Sequence, residues 1–152
     1  MSVVNSDFER RLGRLEDLAE IQQLFIDYGR SLDDGDIDRY ASLFTDDGRV
    51  DLGPIGCAQG PADIRLLMQA VLAGLVGRSF HLVTSPQVQL DGDEARATVM
   101  WTVIHRDRNG TPQVTMIGKH HDRLRRENGR WRFAERRGTI DIPNRYPGSP
   151  SA

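Results

Sequence analysis

The apolar residues of this chain change period once, and that change constrains the fold more than any other feature. Leu12, Leu15, Leu18, Ile21, Phe25, Tyr28 and Leu32 recur every three to four positions, the spacing that lays one buried stripe along a helix. From Arg78 onward apolar and polar residues alternate, the period of half-buried strands. A chain whose helical part precedes its strand part folds as α+β, with the helices covering one face of one sheet.

The stripe predicts a first helix over roughly Asp7–Leu32. It ends at Asp33-Asp34-Gly35-Asp36, where Gly35 can adopt the left-handed geometry of a helix end. A second helix is expected over Ile37–Phe44, with Asp36 as N-cap and Ile37, Tyr40, Leu43 and Phe44 inward. Thr45–Gly48 reads as a turn, Arg49–Leu52 as a brief strand and Gly53–Gly60 as a loop. Pro61 suits the first turn of a third helix reaching about Leu75, with Ile64, Leu67, Met68, Val71 and Leu75 on one face. Then come strands over Phe80–Leu90 (bent at Pro86), Glu94–Arg106, Gln113–Arg126 and Arg130–Ile140. They are joined by turns at Asp91-Gly92-Asp93, Arg108-Asn109-Gly110 and Glu127-Asn128-Gly129. These strands form an antiparallel meander. The expected shape is a cone, a strongly curved antiparallel sheet wrapped round the long N-terminal helix with a cavity at its open end. Residues 1–142 read as a single domain, and the proline-rich segment from Pro143 as an extended tail.

At 152 residues the chain can bury a core without disulfide or metal staples. Its net charge of −2, with acids and bases interleaved, gives no global attraction to nucleic acid or an anionic membrane. The basic runs Arg123–Arg126 and Arg136-Arg137 lie on expected strands, and without an aromatic ladder they read as a solvated sheet face. No apolar run approaches the ~18 residues of a membrane span. The N-terminus has no signal-peptide pattern, and Cys57, without a basic neighbour, excludes an internal disulfide and reads as inert. A cytoplasmic protein is therefore expected.

Few residues are left to carry chemistry. There is no glycine-rich phosphate loop and no nucleophile elbow. His120 and His121 point to opposite faces of a strand and cannot chelate one metal together, so no metal site is expected. Asp33 closes the first helix at the mouth of the cavity, and His81 stands in an otherwise apolar strand start, Phe80-His81-Leu82-Val83. Taken singly, the aspartate reads as a helix cap and the histidine as a core residue.

The element order, with Tyr28–Asp36, Leu43–Gly48, Phe80–Thr84, Asp91–Ala95 and Asn128–Phe133, resembles the SnoaL-like branch of the nuclear transport factor 2-like superfamily over about Leu12 to Ile142. That fold hosts cyclases, isomerases, dehydratases, dehydrochlorinases and subunits without chemistry. The scytalone dehydratase, bile-acid dehydratase and hexachlorocyclohexane dehydrochlorinase branches share an Asp–His pair, which the resemblance puts at Asp33 and His81. Tyr28 matches an active-site tyrosine of the bile-acid branch, and His120 falls where many relatives have tyrosine. Val99 and Leu52 stand where dehydratases carry a second histidine and another tyrosine, so the resemblance implies the dyad but not the dehydratases' substrates.

It implies a cofactor-independent lyase or isomerase acting on a small apolar cyclic substrate, with His81 as base and Asp33 orienting it. Tyr28 and His120 would hold or polarise the substrate, and Phe25, Tyr40, Leu52 and Trp101 would complete the pocket. Two rivals stay open. One is a polyketide-cyclase or ketosteroid-isomerase-like enzyme using Asp33 itself as base. The other is a ligand-binding or oligomerising module without catalysis. A homodimer or homotrimer built through the outer face of the sheet is expected, since relatives associate there and a sheet apolar on both faces needs cover.

Overall fold

A computed structural model describes residues 3–142; the expected tail from Pro143 lies outside the described residues. Three helices, α1 (Val3–Asp34), α2 (Ile37–Ser42) and α3 (Gly60–Leu72), pack against one curved, unclosed sheet. Its strands are β1 (Phe44–Asp51), β2 (Cys57–Gln59), β3 (Ser79–Asp91), β4 (Glu94–Arg106), β5 (Pro112–Glu127) and β6 (Arg130–Ile142). They lie in the order β2-β1-β6-β5-β4-β3. The meander β3 to β6 is antiparallel as expected.

The sheet also contains what local patterning did not reveal. β1 joins β6 in parallel, and β2 extends the sheet as a short edge strand from within the expected loop. The sheet is thus mixed rather than purely antiparallel. Thr45–Gly48 does not separate two elements. It is an excursion inside β1, where the pairing with β6 jumps between Phe44 and Arg49. Gly48 is needed there, since a Cβ would come within 2.9 Å of the Phe133 and Thr45 carbonyl oxygens.

α1 ends where expected, with Gly35 at φ +69°. It begins earlier, and its N-terminal half lies beyond the core. Leu12 and Leu15 are 45% and 64% exposed, so only Ile21, Leu24, Phe25, Tyr28 and Leu32 form its buried stripe. The helical period runs on past the sheet that could cover it. Asp36 caps α2, its carboxylate accepting the Arg39 N–H at 3.0 Å.

Bulges set which side chains face inward. β3 bends at Ser85–Pro86, where the pairing skips from Thr84 to Gln87 and Ser85 takes φ +52°. That bend falls on an edge strand, the place a ladder tolerates proline. On β6, Phe133 pairs with Leu124 and Glu135 with Arg123, so Ala134 is one extra residue. An extra residue reverses the alternation beyond it. Trp131 and Phe133 face inward before the bulge, and Arg136 faces inward after it. This overturns the reading of Arg136 as part of a solvated face. Its side chain is wholly buried and bonded through Nε and Nη2 to Asp122 at 2.8 and 2.6 Å. The guanidinium carbon lies 4.0 Å from the Tyr28 ring centre and 4.1 Å from that of Phe133. Arg137 is exposed, as expected.

Candidate active site

The last turn of α1 brings Asp33 against the start of β3. Gly29, one turn earlier, lets the two elements close up, since a Cβ there would stand 3.3 Å from Val83 Cγ2 and 3.5 Å from the His81 carbonyl oxygen. β3 is an edge strand, and the His81 backbone N–H donates to both carboxylate oxygens of Asp33 at 3.0 and 3.2 Å. The ring Nδ1 lies 2.7 Å from Asp33 Oδ1. An ionised carboxylate can only accept, so Nδ1 carries the proton and Nε2 keeps the basic lone pair. Both side chains are largely covered, with 18% and 12% of their surfaces exposed for His81 and Asp33.

His81 lines a cavity of about 230 Å³ whose walls are mostly apolar, with Leu52, Met68, Val83, Trp101 and Ile140 among them. Tyr28 and His120 also reach it, so four of the six expected substrate-binding residues, Tyr28, His120, Leu52 and Trp101, share this space with His81. The other two do not. Tyr40 is wholly buried behind Tyr28, its hydroxyl donating to the Tyr28 hydroxyl at 3.4 Å, and burial pushes its phenol well above the usual range. Phe25 packs in the core against Phe133 and borders a shallower groove between α1 and β3. Helical spacing puts Phe25 on the buried stripe but one turn too far from the mouth. Asp33 does not line the cavity, and it meets the interior through the His81 ring.

His120 is sealed into the wall. It stacks on Trp101 with ring centres 5.8 Å apart and meets the Tyr28 ring edge-on at 5.2 Å. Burial, reinforced by the Arg136 charge, holds its ring well below the usual histidine range, so it is neutral near pH 7. Its neighbour His121 is exposed on the other face, as alternation requires.

His105 also lines the cavity and was missed by the sequence reading. Its Nδ1 lies 2.5 Å from Thr115 Oγ1, and burial followed by the nearby His81 lowers its pKa. The signal was present in β4, where Val99, Trp101, Val103 and His105 alternate along one face. Among the described residues no group of three or more His, Cys, Asp or Glu side chains is arranged to hold a metal. No helix among the described residues is long and apolar enough to cross a membrane.

The fold is similar to several solved structures. One is a nuclear transport factor 2-like protein with a cystatin-like fold from Novosphingobium aromaticivorans, 26% identical, with a TM-score of 0.85 over 91% of this chain and 90% of that one. A second is a type 2 hexachlorocyclohexane dehydrochlorinase, 22% identical, with a TM-score of 0.78 over 93% and 97% of the two chains. A third is a scytalone dehydratase-like protein of N. aromaticivorans, 21% identical, with a TM-score of 0.74 over 85% and 87%. At these last two identities the likeness is one of fold. No curated protein matches the chain. The sequence profile of the SnoaL-like domain matches residues 13–137, nearly the whole of the described fold. The chain belongs to the SnoaL-like domain family, within the nuclear transport factor 2-like superfamily.

Proposed function

We propose that the protein is a cofactor-independent lyase or isomerase that takes a proton from a carbon of a small, mostly apolar cyclic substrate. The observation that carries this reading is the 2.7 Å contact between Asp33 and His81 at the wall of an apolar cavity. His81 Nε2 accepts the substrate proton, and the Asp33 carboxylate stabilises the imidazolium that forms. In an elimination the C–H electron pair becomes the new C=C bond. The leaving hydroxyl then departs with the imidazolium's proton as water, which returns His81 to its neutral form. In an isomerisation the same proton is delivered to another carbon. Apolar walls exclude competing water and strengthen the dyad's electrostatics.

The rival in which Asp33 is itself the base is less favoured. Both of its oxygens are engaged by His81, and it does not line the cavity. The Asp33–His81 contact at the wall of an open cavity favours an enzyme over an oligomerising module with a filled cone.

A panel of cyclic ketones and hydroxy-ketones incubated with the protein in D2O tests this reading by NMR. Exchange of the acidic C–H, or elimination of water, is expected for at least one compound. His81→Ala and Asp33→Asn should slow that reaction about 10²–10⁴-fold while leaving the protein folded. Panel members that bind the cavity without exchange or elimination would instead identify a binding module.

A further inference from the structure

In and behind the cavity wall lie buried polar atoms that the dyad does not use. His120 Nδ1, Trp101 Nε1 and Arg136 Nη1 are all sealed from solvent and have no hydrogen-bond partner among the described residues. They belong to one cluster, because Trp101 stacks on His120 and both His120 and Arg136 pack on the Tyr28 ring. Their chemistry is not symmetric. Indole and guanidinium nitrogens can only donate, whereas a neutral imidazole offers one donor and one acceptor. A proton on His120 Nδ1 would add a third unsatisfied donor to a pocket of donors beside a cation. A lone pair there adds no such donor and is the arrangement a nearby cation favours, and the Arg136 charge bears on this ring.

The opposite edge of the ring faces the cavity side. A methyl group at Gly138, itself a cavity residue, would stand 3.5 Å from His120 Cδ2 and 3.7 Å from Nε2. We propose that Arg136, anchored by Asp122, is a positioning residue that keeps His120 in the tautomer protonated on Nε2, so that the cavity wall presents an N–H donor. The group this wall selects is an uncharged acceptor oxygen, a carbonyl or ether rather than an amine or ammonium. The assignment of the oxygen as part of a reacting substrate rests on the function proposed above. The tautomer does not, so the two can fail separately.

The wild-type chain labelled with 15N-histidine is the first test. Long-range proton–nitrogen correlation spectra report which ring nitrogen carries hydrogen, and the His120 signals are identified by their loss in His120→Gln. The expected result is a bare Nδ1 and a protonated Nε2; an Nδ1–H tautomer overturns the proposal whatever any variant does. The second test replaces the buried pair together, Arg136→Met with Asp122→Leu, because removing both partners spares the fold the lone charge. His120 should then lose its tautomer preference. Affinity for 1-tetralone should fall about two- to tenfold, the worth of one hydrogen bond, while affinity for the matched hydrocarbon tetralin stays unchanged. An unchanged tautomer, or an equal loss for both probes, refutes a positioning role for Arg136. His81→Ala should leave the tautomer as it is, which separates this inference from the dyad.

Discussion

Arg136→Met is the sharpest test of how the core is held together. The wild-type guanidinium and the Asp122 carboxylate are both wholly buried and joined by two hydrogen bonds, 2.8 and 2.6 Å long. At ~4 Å between charge centres and an effective dielectric near 20, their attraction is about 4 kcal/mol. Methionine keeps much of the packing between the Tyr28 and Phe133 rings, so the loss falls mainly on Asp122, left buried and unpaired. Breaking a buried pair from one side typically destabilises by about 3–5 kcal/mol. At roughly 2–4 °C per kcal/mol for a chain of this size, the melting temperature should drop about 6–20 °C. Adding Asp122→Leu should recover most of that loss, since buried pairs are often replaceable by apolar residues together. Circular-dichroism melts and urea titrations of wild type, both single variants and the double variant complete the cycle. A loss below about 1 kcal/mol for Arg136→Met, or a double variant no more stable than the singles, would refute the buried-pair account.

Acid should weaken the fold before most carboxylates titrate. Burial depresses the folded-state pKa of His120 and, less strongly, of His105. The unfolded chain therefore takes up these protons first as pH falls below about 6.5. Stability should be full above that pH and decline beneath it, by up to ~1.4 kcal/mol per pH unit per site, with a flatter slope in His120→Gln. Urea midpoints that stay level or rise from pH 7.5 to 5.5 would contradict this. Gly118→Ala should destabilise by about 1–3 kcal/mol and perturb tryptophan fluorescence, because a Cβ there runs into the Trp101 indole and the Thr139 carbonyl oxygen; a melt and spectrum like wild type would show that this wall yields. The outer face of β3 and β4 leaves Phe80, Leu82 and Met100 exposed. Light scattering at micromolar concentration should give a dimer or trimer mass, which Leu82→Lys lowers, and a monomer mass for wild type would refute association through that face.

What could be read from the residues was what local spacing determines. The helical period located the stripe from Ile21 to Leu32, and the turn residues located three hairpins. Those elements put Asp33 and His81 at neighbouring ends, and family resemblance singled out the pair. What could not be read depended on one-residue irregularities and distant pairing. Ala134 adds a single bulge residue to β6, and that residue carries Arg136 from the solvent side to the core. Simple alternation from Trp131 and Phe133 puts it outside. The parallel pairing of β1 with β6 has no local signature, so β1 looked like a turn and a fragment. His105 was a different kind of omission, because the alternation through Trp101 and Val103 pointed to it and only the lack of an obvious partner hid it.

The parallel pairing of β1 with β6 also governs when the protein can finish folding. Thr45 donates to the Phe133 carbonyl oxygen across 88 residues of chain, and Leu43 accepts the Phe133 N–H in the same seam. A ribosome that has made α1, α2 and β1 has produced an aromatic surface of Tyr28, Tyr40 and Phe44 whose partner Phe133 does not yet exist. Contacts of such long sequence separation slow folding, because loop closure precedes any gain from packing. The nascent chain must therefore shelter that surface until its final strand emerges. Truncations that stop before β6 should be captured by chaperones or aggregate, whereas the released full-length chain should be protected from protease.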